Sequence, residues 1–215
     1  MNIVFDFGAV LFSWRPGELL AQSFPALAAT PQDAKQLAHA VFAHEDWHNF
    51  DRGVLSMDVV VARTAARLDL DPGVLAGLVN SIGDRLLPID DTVALLAQLH
   101  ALRQPGTPGS QGAHDALKLY YLSNMPVPYA RTLEQRHPFL QWFDGGIFSG
   151  DVLHIKPDPA IYQLLQTRYA LAPTQTLFID DLHANVQAAQ AQGWHGIHFE
   201  SAVQLQAQLA HLLAA

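Results

Sequence analysis

Hydrophobic and polar positions along the chain fall into two patterns. A short apolar run at residues 3–5 leads directly into Asp6, as expected of a strand that is buried on both faces. Between residues 16 and 87, apolar positions instead recur three and four residues apart, which is the spacing of amphipathic helices. One group with this spacing comprises Val60, Val61, Ala65 and Leu68. The pattern predicts an amino-terminal strand followed by an all-helical block.

The second half of the chain alternates between strand and helix patterns. Short apolar runs predict four further strands, at residues 117–122, 146–148, 176–179 and 196–198. Helical spacing predicts helices at residues 90–99, 127–135, 159–169, 182–192 and 202–213. Such alternation is the signature of a parallel sheet with helices on both faces.

Together the two patterns predict an α/β protein with an insertion. Residues 1–15 and 88–215 would form a doubly wound, Rossmann-like core around a parallel sheet. Residues 16–87 would form an all-helical cap over that sheet. A stretch rich in Pro, Gly, Ser and Gln at residues 104–112 predicts an exposed loop.

Composition narrows the classes of partner. Twenty acidic against 12 basic residues give a net charge of −8, which argues against binding to nucleic acid or to an anionic membrane surface. The absence of cysteine excludes disulfides, thiolate catalysis and cysteine-ligated metal sites. The sequence shows neither a signal-peptide pattern nor an apolar stretch of about 18 residues. We therefore expect a cytoplasmic protein that binds a small molecule, and nothing in the sequence specifies an oligomeric state.

Polar side chains follow four of the five predicted strands. Asp6 follows the first strand and Ser123 follows the second. Asp180 and Asp181 follow the fourth strand, and Lys156 lies in the loop after the third. Because ligand crevices in open α/β sheets lie at the carboxyl ends of the strands, we expect these side chains to converge on one edge of the sheet.

This combination of side chains points to phosphate chemistry. Three carboxylates packed together would repel one another, and each would tend to keep a proton unless a cation were present. Oxygen-only ligands favour Mg²⁺, which commonly binds one or two carboxylates together with a phosphate oxygen. Lys156 would offset phosphate charge, Ser123 would donate a hydrogen bond to a phosphoryl oxygen, and Asn185 could orient a metal-ligating carboxylate. The set predicts phosphoryl transfer through a carboxylate nucleophile.

Four segments carry a resemblance to a known family. They are FDFGAVL at residues 5–11, LSN at 122–124, KPDPAIY at 156–162, and FIDD at 178–181 with NV at 185–186. In this order they resemble the four motifs of the haloacid dehalogenase-like (HAD) hydrolase superfamily, and the match spans nearly the whole chain. Residues 16–87 resemble the helical cap of its first subclass. The segment WHNFDRG at 47–53 resembles part of the cap in its phosphatase members.

The resemblance implies roles for residues that would contact the substrate. Asp6 would form an aspartyl-phosphate intermediate. Ser123 and Lys156 would hold the phosphoryl group. Their neighbour Asn124 and the cap residue Arg52 would also contact the substrate.

The same resemblance implies a Mg²⁺ site and one departure from the family pattern. Asp181, favoured over Asp180, would bind the ion together with Asp6 and the backbone carbonyl of Gly8. Phosphatases of the superfamily usually carry an aspartate at the position of Gly8, where it acts as a general acid–base worth typically about 100- to 10,000-fold in rate. Sugar-1-phosphate phosphatases that resemble this sequence also have glycine there. The candidates to replace the missing group are a water molecule, His154 and His183.

The sequence therefore predicts a Mg²⁺-dependent phosphatase that hydrolyses a small phosphorylated metabolite, such as a sugar phosphate. One alternative is a metal-independent 2-haloacid dehalogenase, in which the same aspartate attacks carbon, but this chemistry has no need for the paired acids at 180–181. Another is a catalytically weak phosphometabolite-binding protein, suggested by Gly8. Residues 44–48 also match the H-E-x-x-H pattern of zinc proteases, although they lie in the predicted cap, away from the strand ends.

Overall fold

A computed structural model describes residues 1–103 and 117–214, so the loop predicted at 104–112 lies outside the described residues. Five parallel strands form one sheet in the order β3-β2-β1-β4-β5. The strands are β1 (Asn2–Phe5), β2 (Lys118–Ser123), β3 (Gly145–Phe148), β4 (Thr176–Asp180) and β5 (His195–His198). The predicted doubly wound α/β fold is confirmed.

Ten α-helices lie within the described residues. Five precede residue 88: α1 (Pro16–Ser23), α2 (Pro31–Phe42), α3 (Glu45–Asp51), α4 (Met57–Leu68) and α5 (Pro72–Arg85). Five follow it: α6 (Asp90–Leu102), α7 (Val127–Arg136), α8 (Pro159–Arg168), α9 (His183–Ala191) and α10 (Ala202–Ala214). Each of these helices is too short or too polar to span a lipid bilayer.

The central strand β1 shows why a short, continuous apolar run in the sequence predicts a strand of this sheet. Its residues Ile3, Val4 and Phe5 are fully buried, with Ile3 and Phe5 in one apolar cluster and Val4 in the cluster on the other face. A strand covered on both faces needs a continuous apolar run rather than an alternating one. The chain first extends the sheet from β1 to β3 and later adds β4 and β5 on the other side of β1. Ligand crevices of α/β proteins form where the strand order reverses in this way.

The helical block contacts the core next to this crevice. Helix α5 packs against α7, and the hydroxyl of Tyr129 donates a buried hydrogen bond of 2.8 Å to the carbonyl of Val79. Within the described residues, every strand lies outside the segment 16–87. We propose on this basis that residues 16–87 form a cap and that residues 1–15 and 88–215 form the core.

Candidate active site

Three carboxylates meet at the carboxyl edge of the sheet. One carboxylate oxygen from each of Asp6, Asp180 and Asp181 lies within 4.8 Å of the other two. The backbone N–H of Asp6 donates to the carbonyl of Ile179 at 2.9 Å, which holds the end of β1 beside the end of β4. The convergence that the strand ends predicted is therefore present in the structure.

Lys156 lies inside this acidic cluster. Its Nζ is 2.8 Å from Oδ1 of Asp6 and 2.6 Å from Oδ2 of Asp180, and its side chain is 1% exposed. Asn124 fixes its backbone, because the Lys156 N–H donates to Oδ1 of Asn124 at 2.7 Å while Nδ2 of Asn124 donates to the Lys156 carbonyl at 3.0 Å. Two residues later, the Asp158 carboxylate accepts from the N–H of Ala160 and caps α8. The lysine is thus held between a strand end and a helix start.

Asp180 and Asp181 occupy different environments. Asp180 is fully buried, and its two oxygens accept from Lys156, from the N–H of Leu182 at 2.8 Å and from Nδ2 of Asn185 at 3.0 and 3.1 Å. Asp181 is partly exposed and lines the cavity described below. Protein donors therefore occupy the carboxylate of Asp180, whereas Asp181 presents its side chain to the cavity.

The charges of the cluster are unbalanced. Burial raises the pKa of Asp6 to about 7, Lys156 opposes the rise and Asp180 adds to it. Burial and the neighbouring Asp180 raise the pKa of Asp181 to about 6. Burial alone would lower the pKa of Lys156, but the attraction of Asp180 and Asp6 outweighs this effect and the pKa is raised. The cluster contains one ammonium group and three carboxyl groups, so the site has a net negative charge. All of its candidate metal ligands are oxygens, and such a set fits a hard divalent cation such as Mg²⁺.

A cavity of about 250 Å³ opens onto the cluster from the cap side. Its floor is polar and comprises Asp6, Gly8, Ser123, Asn124, Lys156 and Asp181. Ser123 lies at the end of β2 and is almost fully buried, and among the described residues no hydrogen bond is made by its hydroxyl. The side chains that were predicted to hold a phosphoryl group thus share one floor.

The wall of the cavity is mainly apolar and aromatic. Trp14, Phe42 and Trp47 follow one another in edge-to-face contacts, with ring centroids 5.1 and 4.6 Å apart. The remaining apolar lining comprises Ile82, Leu86, Met125, Pro126, Tyr129 and Leu182. From the segment 16–87 the cavity receives two titratable side chains, His48 and Asp51.

The structure places several of the predicted residues away from the cavity. The guanidinium of Arg52 donates to Oδ1 of Asn49 at 2.7 Å, and Arg52 does not line the cavity. His154 and His183, the side chains considered as replacements for the missing acid, do not line it either. Sequence reasoning missed Asp51, which does line it and lies directly before Arg52.

The H-E-x-x-H segment does not form a zinc site in the described residues. His44 precedes α3, and its Nδ1 accepts a hydrogen bond from the N–H of Asp46 at 3.1 Å, so it acts as the helix cap. The described part of the chain contains one group of three or more candidate metal ligands, and that group is the acidic cluster at Asp6.

Comparisons with known proteins agree with this geometry. The family model of haloacid dehalogenase-like hydrolases matches residues 3–193. The chain is 26% identical to a sesquiterpene phosphatase of Aspergillus oryzae over 210 residues, covering 98% of this chain and 95% of that protein. A HAD family enzyme of Bacteroides thetaiotaomicron in complex with magnesium and inorganic phosphate shares the fold with a TM-score of 0.66 and 16% identity, covering 93% of each chain. The L-2-haloacid dehalogenase of Xanthobacter autotrophicus shares it with a TM-score of 0.59 and 21% identity, covering 91% of this chain and 75% of that one.

Proposed function

Because this chain belongs to the haloacid dehalogenase-like hydrolase family, we propose that it is a Mg²⁺-dependent phosphatase of small phosphate monoesters with Asp6 as its nucleophile. The observation that carries the proposal is the placement of Lys156 between Asp6 and Asp180, beside Asp181 and on the floor of one cavity with Ser123. The full-length similarity to a sesquiterpene phosphatase supports it. The fold alone does not distinguish a phosphatase from a dehalogenase, because an L-2-haloacid dehalogenase has the same fold.

The residues of the floor have complementary roles in this proposal. A carboxylate oxygen of Asp6 attacks phosphorus, the Asp6–phosphorus bond forms, and the bond from phosphorus to the ester oxygen breaks. The hydroxyl of Ser123 donates to a phosphoryl oxygen, and Lys156 offsets the phosphate charge. Water then attacks phosphorus, which releases phosphate and restores the Asp6 carboxylate.

A second set of residues would hold the metal ion. Asp6, Asp181 and the carbonyl of Gly8 would be its ligands, whereas Asp180 and Asn185 would hold Lys156 in place. When bound, Mg²⁺ would supply the positive charge that balances the carboxylates and the phosphate. Three clustered carboxylates require such a positive charge. This requirement favours a phosphatase over a metal-independent dehalogenase, which gains nothing from three clustered acids.

Metal binding is expected to stabilise the protein in a pH-dependent way. The folded-state pKa values of Asp6 and Asp181, about 7 and about 6, lie above the ordinary value of 3.8, so metal-free stability should fall as the pH rises from about 4 to about 7. Magnesium binds the ionised carboxylates, so at about 100 times its Kd it should raise Tm by about 5–10 °C near pH 8. The rise should be much smaller near about pH 5.5, where protons compete with the metal.

Differential scanning fluorimetry with MgCl₂, and with NaCl at the same ionic strength, measures this effect. Asp181→Asn should reduce the shift caused by Mg²⁺ at the higher pH, whereas Asp58→Asn, at an exposed position in α4, should not. An equal shift at both pH values would contradict the assignment of these carboxylates as metal ligands.

The apolar wall indicates the kind of ester that the cavity accepts. A sugar would leave its hydroxyl groups against Trp14, Phe42, Trp47 and Met125, where few hydrogen-bonding partners are available. An isoprenoid or aromatic group would instead bury apolar surface there. We therefore infer a preference for phosphate monoesters of apolar alcohols, rather than the sugar phosphate considered from sequence.

Phosphate release from farnesyl phosphate, p-nitrophenyl phosphate and glucose 1-phosphate tests both the reaction and its specificity. With Mg²⁺ we expect turnover of the first two, with kcat/KM at least about 10-fold above that for the sugar ester. Chelation with EDTA should abolish turnover. Halide release from a 2-haloacid without metal would instead establish the dehalogenase, and saturable binding of the esters without phosphate release would establish the binding protein.

A further inference from the structure

Asp51 is a carboxyl group in the cavity that the proposed phosphoryl transfer does not yet use. It is the last residue of α3 in the cap and lines the same cavity as Asp6, Ser123 and Lys156. Among the described residues, no hydrogen bond or ion pair is made by its carboxyl group. Asp51 is partly buried, and a carboxyl group without a partner is costly to bury, so its presence at a reactive cavity points to a chemical role.

The core holds Asp51 at this place through its backbone. The hydroxyl of Ser149, which is fully buried, donates to the carbonyl of Asp51 at 2.5 Å and accepts from the N–H of Met125 at 2.8 Å. Two residues later the backbone approaches the core so closely that only glycine fits, because a Cβ on Gly53 would lie 2.5 Å from the carbonyl oxygen of Gly150. These two contacts place the end of α3 against the core beside the cavity.

The reaction needs a proton at this side of the cavity. When the bond between phosphorus and the ester oxygen breaks, the alcohol part of an alkyl phosphate leaves as a strongly basic alkoxide unless a proton reaches that oxygen. Gly8 has no side chain that could supply it. Lys156 is bound to Asp6 and Asp180, and the hydroxyl of Tyr129 already donates to the carbonyl of Val79.

Two titratable side chains of the cap remain, and their pKa values are shifted in opposite directions. Burial and the nearby charges of Arg52 and His44 lower the pKa of His48, which favours its neutral imidazole, a poor proton donor. Burial raises the pKa of Asp51 well above its ordinary value, which favours the protonated form of its carboxyl group. A protonated carboxyl group facing the cavity is the better proton donor.

We propose that Asp51 donates a proton to the leaving-group oxygen and then takes one from the water that hydrolyses the aspartyl-phosphate, an inference that rests on the proposed phosphatase function. In the first step the Asp6–phosphorus bond forms, the phosphorus–ester bond breaks, and the Asp51 proton passes to the alcohol. In the second step water forms a bond to phosphorus, the Asp6–phosphorus bond breaks, and the proton of water returns to Asp51. The sum is one ester and one water converted to one alcohol and one phosphate.

Leaving groups of different basicity test this role. Benzyl phosphate must expel an alkoxide, whereas p-nitrophenyl phosphate expels a stable phenolate of similar size that needs little protonation. Asp51→Asn should lower kcat for benzyl phosphate by about 100- to 1,000-fold but kcat for p-nitrophenyl phosphate by less than about 10-fold. A residue that only shapes the cavity would affect both esters alike.

Three comparisons make the outcome decisive. Asp58→Asn, the same change at an exposed cap position, should leave both rates unchanged, and Asp51→Ala should reproduce the selective loss if the asparagine variant folds poorly. Equal losses on the two esters in both Asp51 variants, or a selective loss in His48→Gln but not in Asp51→Asn, would overturn the inference while leaving the phosphatase proposal intact. If the wild-type protein released phosphate from neither ester, both this inference and the phosphatase proposal would be overturned.

Discussion

Replacing Asp6 with asparagine is expected to abolish turnover, with a loss of about 10,000-fold or more in kcat. The amide is nearly the same size as the carboxylate but cannot attack phosphorus, so no aspartyl-phosphate can form. The buried carboxylate is also costly to ionise, since burial raises the pKa of Asp6 to about 7. Above that pH the metal-free variant should therefore be at least as stable as the wild type, because the folded protein no longer encloses that charge.

Phosphate release and chemical denaturation near about pH 8 measure the two effects in parallel. Acid quenching during turnover, followed by mass spectrometry, should find a phosphoryl group on the peptide that contains Asp6 in the wild type but not in the variant. The exposed Asp58→Asn variant is the matched control for both measurements. Retention of more than about a tenth of the wild-type rate by Asp6→Asn would exclude Asp6 as the nucleophile.

The sequence predicted the floor of the site well because parallel strands carry a strong signal. A strand buried on both faces reads as an unbroken apolar run, and the first polar residue after it lies at the ligand edge of the sheet. Asp6, Ser123 and Asp180 each follow such a run. Periodicity and strand ends were therefore sufficient to bring together residues that lie far apart along the chain.

The cap side of the cavity was harder to predict, because it depends on how two separate segments dock. Asp51 reaches the cavity through contacts such as the hydrogen bond from Ser149, which lies 98 residues further along the chain. Arg52 was chosen from the sequence, but its guanidinium contacts Asn49. Successive residues of a helix point in directions about 100° apart, so Asp51 and Arg52 have different surroundings although they are neighbours in the chain. Short-range patterns do not contain that information.

The cavity also explains how a protein with a net negative charge could bind an anionic substrate. The net charge of −8 provides no general attraction for phosphate, so the positive charge must be local. Lys156 is the cation of the floor, and the proposed Mg²⁺ would be the second. The site should therefore be sensitive to the loss of either one.

Replacing Lys156 with methionine is expected to impair both catalysis and stability. The Nζ of Lys156 lies over the ring of Phe178, 5.3 Å from its centroid, so the unbranched methionine side chain can occupy the same space. Without the ammonium group, phosphate binding and charge compensation are lost, and kcat/KM should fall by about 1,000-fold. Breaking a buried ion pair by removing one partner typically costs about 3–5 kcal/mol, and here two carboxylates lose their partner.

The pH dependence of this destabilisation separates a charge effect from a packing effect. Lys156 opposes the rise in the pKa of Asp6, so in Lys156→Met that pKa should rise above about 7 and the folded variant should take up a proton more readily. The loss of stability should then be larger near about pH 8, where the folded variant must bind a proton that Asp6 of the wild type has released, than near about pH 5.5, where Asp6 is protonated in both proteins. Urea denaturation of metal-free protein at the two pH values measures the difference, with the exposed Lys35→Met as the control expected to change stability by less than about 0.5 kcal/mol. A loss of the same size at both pH values would mean that Lys156 stabilises the fold by packing, and its proposed electrostatic role would have to be abandoned.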